Sequence, residues 1–248
     1  MVRRMYVIVG GLLLGAVLLN GCGPGATRGE ATAPEPAGPL NVTVSILPQK
    51  YFVERIGGEH VAVNVMVEPG ASPATYEPRP EQLTALNDAV AYFSIGVPFE
   101  DAWVDKIASA NPEMLIVDTA AGIERVPIDA HYRVEVGGRP VNQAEGRDPH
   151  VWLSPELVKI QSRTIYEALA RLDPAHEAEY KTNLDGFIAD VDELEADVEE
   201  TLEGITNRKF MVFHPAWGYF GDDFKLEMIP VEVGGQEPSA AELADLVA

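Results

Sequence analysis

The chain has 248 residues, enough for one large domain or two smaller lobes, and its 46% apolar and 23% charged residues are ordinary for a globular protein. Thirty-nine acidic against 18 basic side chains leave a formal net charge of −21, which argues against nucleic acid, whose phosphates need clustered Lys and Arg, but not against a cation. One cysteine excludes an internal disulfide and a thiolate metal site.

Arg3 and Arg4 precede an apolar run, "MYVIVGGLLLGAVLL", that is too short to span a bilayer comfortably. "LNGC" follows and ends at Cys22. The arrangement resembles a bacterial lipoprotein signal, so residues 1–22 are expected to be a signal peptide and Cys22 the lipid attachment point. The body is then extracytoplasmic, in the periplasm or at the cell surface. Residues 23–39, rich in Gly, Pro and Ala without apolar period, read as a flexible tether.

Residues 40–153 are expected to form an N-terminal α/β lobe. β-branched runs at 41–47, 61–67, 89–95 and 114–118 predict strands. Helical spacing separates them at 48–58, from Pro80 to Asp88 and from Phe99 to Ser109. Such alternation predicts a parallel sheet covered on both faces, with ligands at the strands' carboxyl ends. Residues 120–148 show no sustained period and read as a long loop with room for a hairpin.

Residues 154–208 are expected to be a long linking helical region. Ser154 is a good N-cap, Pro155 suits the first helical position and Glu156 the positive end of the dipole. Apolar residues then recur every three or four positions through Ile205, with Pro174 ending or kinking one helix and Asp173 capping the next. The run "DVDELEADVEE" reads as the solvated face of that helix. Residues 209–248 are expected to give a partial C-terminal α/β lobe, with strands at 209–213 and 227–233. A helix opened by a Ser239–Glu242 capping box follows, and the sequence stops inside it at Ala248. Two strands and a broken-off helix do not close a sheet, so the second lobe reads as truncated.

Five histidines can be weighed one by one. His60 in "IGGEH" reads as an exposed turn residue, and His176 as a surface residue after Pro174. His131 lies in the long loop, where solvation is favoured over an accessory ligand role. His150 in "DPHVWL" and His214 in "VFHPAWGYF" each adjoin a short apolar run, one in each half of the chain. The residues alone leave a metal role and a packed or capping role both open for this pair. No G-x-S-x-G elbow, HExxH or Gly-rich phosphate loop is present, so nothing points to an enzyme, and a metal-dependent hydrolase would lack a placed base.

The lipobox, "VMVEPGASPATYEPRPEQL", "DPHVWLSP", the acidic helix, "FHPAWGYF" and "IPVEVGGQEPSA" come in one order. That order resembles the zinc and manganese substrate-binding lipoproteins of bacterial ABC transporters. The resemblance implies an α/β fold of two lobes joined by one long rigid helix, with a metal cleft between them. It implies capture of a divalent transition metal, Zn2+ ahead of Mn2+, for delivery to an ABC-transporter permease. The chain would be a monomer held to the membrane through Cys22, with no covalent chemistry. His150 and His214 match two of the family's ligands, and Asp148 is a second-sphere partner. Where many members carry a further histidine, this chain has Ala74, and the usual last carboxylate ligand would lie beyond Ala248. Glu77, Tyr76 and Glu100 are the candidate replacements. The competing readings are a same-fold protein for a non-metal ligand and a surface adhesin lipoprotein.

Overall fold

The computed structural model describes residues 38–131, 135–136, 139–140, 146–232, 238–240 and 244. The signal segment, most of the tether and Glu242 lie outside them. In chain order the first half gives β1 (Leu40–Ile46), α1 (Leu47–Gly57), β2 (Val61–Val67), α2 (Pro80–Ala85), β3 (Ala91–Ser94), α3 (Pro98–Ala110) and β4 (Leu115–Asp118). The four strands pair in parallel in the order β2-β1-β3-β4. The chain leaves β1 toward β2 and returns past it to β3, which puts the topological switch point between β1 and β3.

Side-chain alternation sorts the sheet's two faces. Val42, Val44 and Phe93 join Phe52 and Ile56 of α1 in one core, while Tyr92 and Ile95 join Phe99 and Ile107 of α3 in another. At the carboxyl ends Gln49 knits the layers together. Its Oε1 accepts from the N–H groups of Ser45 and Ile46 at 3.1 and 3.3 Å, and its Nε2 donates to the carbonyls of Phe93 and Ser94.

The long segment after β4 contains a 3-10 turn at Ile128–His131 and a short antiparallel pair, β5 (Glu135–Val136) with β6 (Arg139–Pro140). The chain then enters α4 (Pro155–Leu172), turns through Pro174–His176 and returns along α5 (Glu177–Thr201). Ser154 Oγ accepts from Leu157 N–H at 3.1 Å, as expected of the cap. Lys159, early in α4, meets Asp192 and Glu195, late in α5, while Tyr166 meets Glu177, so the two helices run antiparallel. The long helix is α5, with 25 residues; the break at Pro174 folds α4 beside it. Asp173 does not cap α5 through its side chain, which accepts instead from His176 Nδ1 and Tyr180 Oη. Val158, Ile165 and Leu169 of α4 and Leu184, Phe187 and Val191 of α5 complete the first core.

The chain continues into β7 (Lys209–Val212), α6 (Gly218–Phe224) and β8 (Glu227–Pro230), a second, two-stranded parallel sheet. Ser154 Oγ also donates to Asp223 of α6 at 2.6 Å, tying this unit to the start of α4. Among the described residues no helix is long and apolar enough to cross a membrane.

Candidate metal centre

Asp148 and Pro149 lead into a 3-10 turn at Val151–Leu153, and this turn fixes His150. His150 N–H donates to Asp148 Oδ1 at 2.9 Å, and the same oxygen lies 2.6 Å from His150 Nδ1. Asp148 is wholly buried and His150 is 9% exposed. Trp152 packs edge-on against the imidazole at 5.1 Å.

His214 reaches the same place from the second sheet. It lies two residues beyond the end of β7, and Glu232 lies two residues beyond the end of β8. The register pairs Val212 with Pro230, and Glu232 N–H still bonds Phe213 O at 2.9 Å. The two side chains therefore emerge side by side, with His214 Nδ1 2.5 Å from Glu232 Oε2.

The two Nε2 atoms face each other at 3.3 Å, with the rings at 74°. Each Nδ1 rests on a carboxylate oxygen, an acceptor, and the neutral tautomer that suits such a contact carries its proton on Nδ1. In the neutral rings both Nε2 atoms then present lone pairs to one another. Two imidazoles bound to one tetrahedral zinc at about 2.0–2.1 Å place their nitrogens about 3.3–3.4 Å apart. The separation fits a shared ion.

Behind this pair lies a third imidazole. His131 presents Nδ1 to Asp222 Oδ2 at 2.8 Å, and its Nε2 lies 3.2 Å from Asp148 Oδ2 as an ion pair. Its side chain is 1% exposed, so the expectation of a solvated loop residue is corrected. Burial alone would lower the His131 pKa, but Asp148 and Asp222 on its two nitrogens outweigh that and raise it. Burial likewise pushes Asp148 up, and the hydrogen bonds and charges of His131 and His150 overcome it, holding the carboxyl below its ordinary value. Gly218 leaves room for His131: a Cβ there would come within 2.3 Å of the ring. Tyr219 Oη then donates to Asp148 O at 3.1 Å.

His150 and His214 line a cleft of about 490 Å³, together with Ser72, Pro73, Ala74 and Pro98. Ala74 thus faces the same space as His150 and His214. None of the candidate replacements lines it. Glu100 is buried behind the switch point, where it takes the Ser45 hydroxyl and the N–H groups of Ile95 and Gly96. Tyr76 Oη bonds Gln82, and Glu77 is exposed. Sequence reasoning had named Asp148 but not Glu232 or the buried setting of His131. The parallel register of β7 and β8 is the signal that places Glu232 beside His214.

Comparison with known proteins follows the same lines. The sequence model of the family described as ZnuA, zinc-uptake complex component A, periplasmic, matches residues 42–248. The high-affinity zinc uptake system protein ZnuA of Bacillus subtilis is 26% identical over 234 residues, covering 93% of this chain and 72% of that protein. The manganese-binding lipoprotein MntA of Halalkalibacterium halodurans is 24% identical over 218 residues, covering 87% of this chain and 67% of that protein. A crystal structure of ZnuA superposes with a TM-score of 0.75 at 44% identity, covering 84% of this chain and 76% of the other.

Proposed function

The chain belongs to the ZnuA family of periplasmic zinc-uptake components, and from that premise we propose that it captures a divalent transition metal in the cleft between His150 and His214 and hands it to an ABC-transporter permease. Family members are solute-binding transport proteins, and this one acts by binding and release, without covalent chemistry. Zinc is the first-choice cargo and manganese the second, since imidazole nitrogen suits zinc better than the harder ion.

The observation that carries this reading is the 3.3 Å approach of two lone-pair-bearing Nε2 atoms, each backed by a carboxylate. Asp148 and Glu232 fix the tautomer and raise the basicity of the ring they hold, as carboxylates behind metal-bound histidines do. His131 fixes Asp148 in turn. Ala74 supplies no donor, so water or a further carboxylate would complete the coordination sphere. Cys22 serves as the lipid anchor of a monomeric lipoprotein, and residues 23–39 as its tether.

A competitive Zn2+ titration of the full chain tests the assignment. The chain is expected to bind its tightest equivalent with a Kd below about 1 μM. His214→Ala is expected to weaken that equivalent at least about a hundredfold, roughly 2.7 kcal/mol. Unchanged affinity in this variant would overturn the cleft as the site.

A further inference from the structure

The remaining two histidines form a second cluster, away from the cleft. His60 sits in the turn between α1 and β2, and His176 in the turn between α4 and α5. The two turns meet, and the rings stack with centroids 3.7 Å apart and planes at 20°. Each ring is held by a carboxylate, His60 Nε2 by Glu179 Oε2 at 3.0 Å and His176 Nδ1 by Asp173 Oδ2 at 2.6 Å. Ligand atoms from His60, Asp173 and His176 all lie within 4.8 Å of one another, as do those from Glu59, His60 and Glu179.

Asp173 supplies the independent sign of a ligand. It is 2% exposed, and its Oδ1 is buried without a hydrogen-bond partner among the described residues. A buried carboxylate oxygen left unpaired is costly, and a cation against it removes that cost. Two imidazole nitrogens and a carboxylate oxygen are the donor set of a zinc-class ion, whereas magnesium and calcium take oxygen alone.

We infer that His60, His176 and Asp173 form a second binding site for a zinc-class divalent ion, with Glu179 beside it. The site is independent of the cleft. His60 immediately precedes the amino end of β2, while the cleft residues gather at the carboxyl ends of the parallel strands. The seven residues of β2 alone set a separation on the order of 20 Å. An ion here clamps the α1–β2 turn to the tip of the α4–α5 hairpin.

The test is a Zn2+ titration of the metal-free full chain and of the double variant H150A/H214A, with helix content followed by circular dichroism. The expected stoichiometry is two per chain and one in the double variant, since that change empties only the cleft. Adding His60→Gln or His176→Gln to the double variant is expected to weaken the remaining equivalent at least about tenfold, roughly 1.4 kcal/mol. A folded double variant that binds no zinc overturns the second site. So does a remaining equivalent indifferent to both glutamine substitutions. If H60Q or H176Q unfolds, the double variant alone still decides. Failure of the cleft reading looks different, because His214→Ala would then leave the tighter equivalent in place.

Discussion

The two histidine pairs are built on opposite plans. In the cleft the rings meet at 74° with their Nε2 atoms aimed at each other, while at the hairpin they lie almost flat, at 20°. The cleft pair is backed by a carboxylate on each outer nitrogen, so its lone pairs are already directed inward. The hairpin pair must turn before both rings can share an ion. Preorganisation lowers the cost of binding. The cleft is accordingly expected to be the tighter of the two proposed sites, and the hairpin, with a carboxylate oxygen among its donors, the weaker one.

Acidification is the strongest way to break the contrast. An imidazolium has no lone pair to give, so metal affinity falls as protons compete. Between pH 8 and pH 5 the cleft equivalent is expected to lose on the order of a hundredfold in affinity, because both its assigned protein ligands are imidazoles. Asp148 does not contribute to that loss. Its folded-state pKa is depressed, so the stability it lends is present above the ordinary carboxylate value and is lost only as pH falls through the lowered one. Zinc titrations at several pH values check this, and a flat profile would count against histidine ligation.

Removing the backing carboxylates sharpens the contrast. Asp148→Asn is expected to reduce cleft affinity about 10- to 100-fold while leaving the hairpin equivalent unchanged. Glu232→Gln is expected to cost less, since the His214 side chain it holds is 53% exposed and solvent can replace the bond. Equal losses from the two changes, read in the same titration, would show that burial behind His150 adds nothing. Smallest is the gain expected from Ala74→His. A third imidazole facing the cleft should raise affinity by about tenfold, roughly 1.4 kcal/mol. No gain would mean that the backbone at Ala74 does not present its side chain to the ion.

Much of the first sheet was legible because local rules suffice there. Val42, Val44 and Phe93 alternate in runs that can only be strands, and Ser154 and Pro155 mark the start of α4. The break between α4 and α5 was also legible, at Pro174. His150 and His214 stood out, one just before and one just after a short apolar run, although their meeting at 3.3 Å joins positions 64 residues apart. Non-local partners set the rest. His131 lies in a segment without period, and its Asp222 partner is 91 residues away, so no window of sequence could distinguish a buried imidazole from a solvated one. His60 meets Glu179 across 119 residues, and only the packing of the α4–α5 hairpin against α1 brings them together. Glu232 required the strand register, which periodicity does not reveal.

The 64-position separation of His150 and His214 also gives the cargo a topological role. An ion gripped by both imidazoles closes a loop that contains the whole helical hairpin, a reversible crosslink in a chain whose single cysteine permits no internal disulfide. At a hundredfold excess over its dissociation constant, such an ion lends the native state about 2.7 kcal/mol by mass action. The loaded chain would then survive proteolysis longer than the empty one, and its lifetime would track the supply of the ion it carries.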